Sequence, residues 1–170
     1  MRCLNCGVKG IGLETEICPQ CGAYIPSLLI STLPHGTKID SGKYQIDYVL
    51  GRGSFGITYQ AHHTQLPIEY AIKEFFPDNV ARHGKTDNLI IPKLHQEQFA
   101  QNKQKFLDEA HTLANLSHPH VVKAIDIFEE RDTAYLVMEL VEGQSLKDEL
   151  AAAANGKLSL SRVTEIGTTL

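Results

Sequence analysis

The chain has 170 residues and a formal net charge of −4, with 42% hydrophobic and 21% charged residues. This composition predicts a soluble globular protein of one or two small domains, and no Lys/Arg run indicates binding to nucleic acid or to an acidic membrane surface. No apolar run approaches the roughly 18 residues of a membrane span and no secretory signal is visible, so we expect a cytoplasmic location.

All four cysteines lie near the amino terminus, in the pattern Cys3-x-x-Cys6-Gly followed by Cys18-x-x-Cys21-Gly. Two intervening residues let both thiolates of a pair turn toward one ion, and the following glycine permits a tight turn that aims N–H groups at sulfur. Four thiolates fill the tetrahedral shell of structural zinc, which would supply the folding energy of so short a segment. We predict a zinc site made of the four cysteines; two disulfides, free thiols or rubredoxin-like iron are the alternatives.

Composition then changes twice along the chain. Residues 27–43 mix Ser, Thr, Gly and Pro and are interpreted as a linker, and regular patterning begins at Tyr44. From there we predict strands at residues 44–50, 57–62 and 68–75, an irregular stretch over 77–93 with a short strand at 89–91, and a helix over 96–116.

Residues 51–56 (GRGSFG) separate the first two of these strands and contain G-x-G-x-x-G. The same spacing marks dinucleotide-binding folds, but there a helix follows the glycines, whereas strand-forming residues follow here. A glycine turn between antiparallel strands can fold over a triphosphate and offer N–H groups to its oxygens, because no side chain holds the backbone away. An ordinary glycine-rich hairpin is the alternative interpretation.

Lys73 follows Ala71 and Ile72 on the third predicted strand, which is mostly apolar. A lone lysine is more often a solvated surface charge, but in this register Lys73 would point at the phosphates and would need a carboxylate to fix its position. The predicted helix offers Glu109, in helical register with Phe106, whereas Asp108 lies off that register.

The carboxyl-terminal part continues with two strands, at 121–129 and 133–139, joined by a polar turn. A helix over 145–154 begins with a capping box, Ser145-x-x-Asp148. A last amphipathic helix begins near Ser161 and runs to Leu170 without a cap, so we expect that the polypeptide was cut there.

Taken in order, the glycine turn, Lys73, Glu109, the His118-Pro119 turn and residues 135–143 (YLVMELVEG) resemble the N-lobe of a protein kinase. The similarity covers about residues 44–170. This part of the chain resembles a bacterial serine/threonine kinase that stops before its catalytic loop. The cysteine segment resembles the zinc ribbons at the head of some bacterial kinases.

This resemblance implies an α+β fold. It begins with a small zinc ribbon with four cysteine ligands (1–26), followed by a linker (27–43) and a kinase-like N-lobe (44–143). The N-lobe would contain a five-stranded antiparallel sheet and the helix that is named αC in kinases. Residues 144–170 would then form the first helices of a truncated C-lobe.

The resemblance also implies roles for individual residues. Lys73 and Glu109 would form the catalytic ion pair, and Met138 would be the gatekeeper. The implied ATP-binding residues are Leu50, Gly51, Arg52, Gly53, Ser54, Phe55, Gly56, Thr58, Ala71, Lys73, Met138, Glu139, Val141 and Ser145. Among them, the backbone of Glu139 and Val141 would bind adenine.

Two departures from the family pattern are visible. Thr58 stands where a valine usually caps adenine, although its methyl group can still pack. The stretch that follows Pro77 is unusually long and resembles a bacterial subgroup of these kinases. We expect it to contact αC and to influence the pairing of Lys73 with Glu109.

The function implied is transfer of the ATP γ-phosphate to Ser/Thr hydroxyls of protein substrates, with Mg²⁺ as cofactor and Zn²⁺ as a structural ion. The motifs H-R-D-x-x-x-x-N and D-F-G do not occur among the 170 residues, so we expect this chain to be inactive alone. Arg131-Asp132 lacks the flanking His and Asn and is interpreted as a solvated turn. The alternative is a catalytically inactive, pseudokinase-like interaction module, and the zinc ribbon's partner is not indicated.

Overall fold

The computed structural model describes residues 1–169. Within this range the strands are β1 (Lys38–Ile39), β2 (Tyr44–Gly53), β3 (Gly56–His63), β4 (Glu69–Phe75), β5 (Ala81–Arg82), β6 (Leu89–Ile90), β7 (Ala124–Glu130) and β8 (Thr133–Glu139). The helices are α1 (Ile25–Leu28), α2 (Gln96–Ala114), α3 (Leu146–Ala152) and α4 (Leu160–Thr169), with 3-10 turns at Lys93–His95 and Ala154–Gly156. None of the helices in the described range combines the length and apolar character needed to cross a membrane.

Six strands form one antiparallel sheet in the order β1-β2-β3-β4-β8-β7, and β5 pairs with β6 in a separate hairpin. The predicted fold class is confirmed, since the sheet is antiparallel and the long helix α2 packs on it. The predicted five strands omitted β1, which pairs its two residues with the start of β2. So short a strand shows no hydrophobic alternation, and only its pairing reveals it.

Both faces of the central strands are covered, by different parts of the chain. One face carries Tyr59, Ile72 and Glu74, which are fully buried because strand alternation turns them to the same side. The linker lies over this face, where the Leu33 N–H donates to the Tyr59 hydroxyl at 3.1 Å. The opposite face carries Lys73, which is half-buried and faces α2.

Helix α2 is held on the sheet by an apolar stripe. Phe99, Phe106 and Ala110 are its buried residues, at spacings that place them on one side of the helix. The ring of Phe75 on β4 lies 5.2 Å from that of Phe99 and 5.7 Å from that of Phe106, between centroids. Burying each such ring contributes on the order of 1.5–3 kcal/mol. These contacts therefore set where Glu109 lies.

Local turn chemistry explains several element ends. Arg131 and Asp132 join β7 to β8 with φ of 53° and 64°, a two-residue turn whose backbone twist suits a hairpin. The Ser145 hydroxyl accepts a hydrogen bond from the Asp148 N–H at 3.1 Å, which confirms the predicted cap of α3. Leu170, with which the last predicted helix ends, lies outside the described residues.

Residues 1–26, called here the cysteine module, have a small core of their own. Cys3, Ile11, Cys18 and Ile25 are buried together, and the Met1 ammonium group donates to the Ile11 carbonyl at 2.6 Å. Four side chains cannot supply enough hydrophobic burial to hold a segment of this size by themselves. The cysteine module therefore needs a further source of stability.

Candidate functional site

The turn between β2 and β3 pairs Gly53 with Gly56 at its base and exposes Phe55 at its tip. A Cβ atom on Gly56 would lie 2.4 Å from the Glu74 carbonyl oxygen, so the close approach of β3 and β4 requires glycine there. A Cβ atom on Gly51 or Gly53 would meet no other atom within 4 Å among the described residues. Packing therefore explains one of the three glycines and leaves the other two to another cause.

Arg52 and Ser54, the remaining residues of the segment 51–56, are also exposed. The Arg52 guanidinium donates to the Ile30 carbonyl of the linker at 3.1 Å and lies 5.3 Å from the centroid of the Phe76 ring. Its positive charge is thus directed to the linker side of the turn. Ser54 lies at the exposed tip beside Phe55.

A cavity of about 330 Å³ lies between the turn, β4 and α2, and Phe55, Lys73, Phe106 and Glu109 are among the residues that line it. The Lys73 ammonium group lies 5.8 Å from the centroid of the Phe106 ring. No ion pair joins Lys73 to Glu109 within the described residues, although both side chains border the same space. The structure places the two predicted catalytic residues at one cavity without an ion pair between them, and their pairing stays a prediction.

Four other predicted site residues lie on or beside the same face of the sheet as Lys73. Thr58 is the register partner of Lys73, and Ala71 is that of Met138, so each pair shares a face of the sheet. Thr58, Ala71 and Met138 are half-buried, and so is Leu50 on β2. A planar ligand inserted against this face would meet small or apolar side chains.

The segment after β8 carries the remaining predicted contacts. The Glu139 N–H donates to the Lys123 carbonyl at 3.1 Å, so a hydrogen bond from the Glu139 backbone to a base would have to use its carbonyl oxygen. Val141 is 72% exposed. The exposed Ser145 caps α3 through its hydroxyl oxygen, and its side chain and backbone N–H also interact with the Asp148 carboxylate, which lowers the pKa of Asp148.

The four cysteine sulfurs form a compact cluster, all within 4.8 Å of one another. The Sγ atoms of Cys3 and Cys21 are 3.9 Å apart, and those of Cys6 and Cys18 are 3.7 Å apart. A tetrahedral ion with Zn–S bonds of about 2.3 Å places its sulfurs about 3.8 Å apart. A disulfide needs about 2.05 Å, and all four thiols are free. The donor set therefore fits a tetrahedral thiolate site.

The surroundings of these sulfurs shift the pKa values of individual cysteines in opposite directions. The Asn5 amide donates to the Cys21 sulfur at 3.4 Å and, with the Ala23 N–H, lowers the pKa of Cys21 to about 6. The Val8 N–H favours the Cys6 thiolate, but desolvation and the neighbouring sulfurs outweigh it and raise the pKa of Cys6 to about 12. Four thiolates at these distances would repel one another, so full ionisation requires a cation among them.

Sequence reasoning missed a second charged cluster, on the linker side of the sheet. The Glu74 carboxylate is fully buried and accepts hydrogen bonds from the Arg82 guanidinium, at 2.7 Å to each oxygen, and from the hydroxyls of Tyr59 and Tyr135, at 2.7 and 3.0 Å. Arg82 also donates to the Ser31 carbonyl of the linker at 2.8 Å. The available signal was the alternation of β4, which places Glu74 in line with Ile72 rather than with Lys73.

Comparison with known proteins gives a consistent result. Residues 44–169 match the profile of the family described as protein kinase domain. The serine/threonine-protein kinase PrkC of Bacillus subtilis is 36% identical over 118 residues, which cover 69% of this chain. The tyrosine-protein kinase transforming protein ros of UR2 avian sarcoma virus is 27% identical over 141 residues, which cover 79%.

A solved structure supports the same assignment. The apo form of PpkA-294 superposes with a TM-score of 0.67 at 30% identity, over 72% of this chain and 43% of that one. The chain spans only part of its curated relatives, with 15% of PrkC and 32% of the viral protein covered. Because the profile match takes in most of its length, the chain belongs to the protein kinase domain family.

Proposed function

We propose that this chain is the ATP-binding, amino-terminal portion of a serine/threonine protein kinase. In its intact form that kinase transfers the γ-phosphate of ATP to Ser/Thr hydroxyls of proteins. The observation that carries the proposal is the convergence of the glycine turn, Lys73 and Glu109 on one cavity. The proposed divisions are the cysteine module, the linker 27–43, the N-lobe 44–143 and the start of a C-lobe from residue 144. Preference for Ser/Thr rests on the similarity to PrkC.

In this proposal the cavity receives the phosphates of ATP. The half-buried Lys73 side chain offers a cation at the base of the glycine turn, and Glu109 on α2 faces the same space. Gly51 and Gly53 have open space where a Cβ would be, which suits N–H groups that approach phosphate oxygens closely. Mg²⁺ would neutralise the phosphate charge when bound with ATP.

Adenine would lie deeper, against the face that carries Ala71 and Met138. Leu50 and Ala71 are positioned to pack against a flat base, because one is on β2 and the other on β4 with the small Thr58 between them on β3. The Glu139 carbonyl and the backbone of Val141 are the groups proposed to bind the base edge. Ser145 is the residue proposed to contact the ribose.

We further propose that Cys3, Cys6, Cys18 and Cys21 hold a structural Zn²⁺ ion. The support is the tetrahedral spacing of the four sulfurs and the burial of two of them, Cys3 and Cys18, in the core of the cysteine module. Four protein ligands leave no open coordination position, so this ion would stabilise the fold and take no part in phosphoryl transfer.

The nucleotide proposal is tested by the substitution Lys73→Met, which keeps the aliphatic stem and removes the charge. We expect the affinity for MgATP to fall about tenfold or more, which is about 1.4 kcal/mol. Two-dimensional ¹H–¹⁵N NMR titration of the 170-residue chain measures this, because chemical-shift changes report even weak binding. In the wild-type chain the shifts should concentrate on residues 50–58, 71–73 and 138–145.

Lys93→Met is the matched control, because Lys93 is an exposed lysine in the 3-10 turn before α2 and is not among the residues lining the cavity. Its affinity for MgATP should equal that of the wild type. An unchanged affinity in Lys73→Met, or the same loss in both variants, would contradict the assignment of Lys73.

A further inference from the structure

The cysteine module contacts the segment that the proposed function assigns to adenine. Residues 140–145, called here the hinge segment, link β8 to α3. The Lys9 ammonium group donates to the Gly143 carbonyl of the hinge segment at 3.1 Å. The Arg2 guanidinium forms an ion pair with Asp148 in the first turn of α3 at 2.8 Å. Lys9 therefore contacts the chain just before α3 begins, and Arg2 contacts it just after.

Arg2 is oriented by the first cysteine turn. Its Nε donates to the Gly7 carbonyl at 2.9 Å, and Gly7 in turn donates its N–H to the Cys3 carbonyl at 2.9 Å. Gly7 has a φ of 78°, and a Cβ atom there would lie 2.8 Å from the Arg2 guanidinium. The position of the guanidinium therefore depends on the turn that aims Cys3 and Cys6 at one point.

A cavity of about 500 Å³ lies where the cysteine module meets the lobe. Met1 and Lys9 line it on one side, and Leu50, Val141 and Gly143 line it on the other. Leu50 and Val141 are proposed adenine contacts, so the cysteine module forms a wall beside the entrance of the nucleotide site. Residues 141–145 of the hinge segment are exposed, so packing against the lobe does little to fix them.

The linker keeps the cysteine module at this place. The Ser31 carbonyl accepts from Arg82, and the Leu33 N–H donates to the buried Tyr59 hydroxyl. Few residues remain between this anchor and the cysteine module. Exposed ion pairs and lysine–carbonyl bonds are weak in water, but a short tether makes the contact intramolecular and raises its effective concentration.

We propose that Arg2 and Lys9 are positioning residues of the nucleotide site, which tie the cysteine module to the hinge segment and α3 and so hold the backbone that contacts adenine. This inference rests on the proposed function. In this arrangement the fold of the cysteine module sets the affinity for nucleotide, and the four cysteines act on the site through Arg2 and Lys9.

The test removes the two cations of the cysteine module without touching a cysteine. Lys9→Ala removes the bond to Gly143, and Arg2→Ala removes the partner of Asp148 while keeping both side chains of the Ser145–Asp148 cap. Lys85→Ala is the matched control, because Lys85 is an exposed lysine between β5 and β6. Native mass spectrometry first verifies that each zinc-loaded 170-residue variant retains its metal.

Amide hydrogen exchange over residues 140–148, without nucleotide, is the first measurement. We expect exchange in the double variant to be about tenfold faster than in the wild type, with the metal still bound, and no change in Lys85→Ala. The second measurement is MgATP affinity by NMR titration, which should fall about threefold to tenfold in the double variant, since a mobile site binds less tightly.

The outcomes separate this inference from the proposed function. Unchanged exchange in a metal-loaded double variant overturns the inference whether or not MgATP binds. Faster exchange with unaltered MgATP affinity also overturns it, because the contact then positions nothing that the nucleotide uses. If the wild-type chain binds no MgATP, the proposed function fails and the positioning role fails with it, while the exchange result still reports the contact.

Discussion

Glu74 is a carboxylate buried beside an arginine, at 0% and 4% side-chain exposure for Glu74 and Arg82. Its two oxygens accept from one guanidinium nitrogen of Arg82 and from the hydroxyls of Tyr59 and Tyr135. Burial, and then the charge of Glu74, raise the pKa values of Tyr59 and Tyr135. Both phenols therefore remain protonated and donate to the carboxylate. This cluster is the main polar connection between β4 and the linker.

Arg82→Met should destabilise the protein strongly. It leaves the Glu74 charge buried with only two hydroxyl donors, and removing one partner of a buried pair costs about 3–5 kcal/mol. Urea unfolding monitored by circular dichroism measures the free energy of unfolding. The double variant Glu74→Gln/Arg82→Met should recover part of the loss, because it removes the uncompensated charge as well.

Arg52→Met is the matched control for that substitution. Arg52 lies 5.3 Å from the Phe76 ring, as Arg82 lies 5.2 Å from it, and each donates to a linker carbonyl, but the Arg52 side chain is exposed and no carboxylate pairs with it within the described residues. The free energy of unfolding of Arg52→Met should fall by no more than about 1 kcal/mol. Equal losses in the two variants would show that stacking on Phe76, and not the buried charge, is what matters.

At the scale of single residues, the sequence predicted chemistry better than geometry. It singled out Lys73 and Glu109, and the structure places both at one cavity. It could not predict how far apart they lie, because that depends on how Phe75 packs between Phe99 and Phe106. It missed the pairing of Glu74 with Arg82, since alternation shows which face a residue occupies and not what covers that face.

The element that most constrains the site is the pair of strands β3 and β4. Gly56→Ala should destabilise the protein by about 1–3 kcal/mol, because the new Cβ would lie 2.4 Å from the Glu74 carbonyl oxygen and the two strands would have to separate. Thermal and urea unfolding report the loss. The strain would fall on the backbone of Glu74, next to Lys73, so MgATP affinity should decrease together with stability.

Gly53→Ala, three residues earlier in the same turn, separates packing from ligand approach. A Cβ atom there meets nothing within 4 Å among the described residues, so stability should change by no more than about 1 kcal/mol. A stability loss in Gly53→Ala as large as that in Gly56→Ala would contradict the packing argument for Gly56.

Elements with a strong local pattern were predicted well. The prediction for β8 coincides with the observed Thr133–Glu139, and the helix predicted over 96–116 ends two residues earlier, at Ala114. β7 begins at Ala124 rather than at residue 121, because the chain turns over residues 118–121, where the Val121 N–H donates to the His118 carbonyl, and residues 122–123 are irregular. Short elements such as α1 and β5 depend on tertiary contacts and were not predicted.

At the scale of the whole molecule, two anchors hold the amino-terminal residues across the lobe. The linker is fixed on one face of the sheet by Arg82 and Tyr59, and the cysteine module is fixed at the hinge segment by Lys9 and Arg2. The first anchor is buried, whereas the second is partly or fully exposed. The second should therefore be the one that opens first when the cysteine module loses its structure.

Removal of the metal should show that the anchor at the hinge segment opens before the buried anchor of the linker. Zinc-loaded protein should contain about one Zn²⁺ per chain, and chelation should unfold the cysteine module, because its few buried side chains cannot hold it without the ion. Hydrogen exchange should then become fast over residues 1–26, while β3, β4 and β8 remain protected by the large core of the lobe. Exchange over residues 140–148 should rise with that of the cysteine module. Continued protection of residues 1–26 in metal-free protein would mean that the four thiols need no ion to keep their fold.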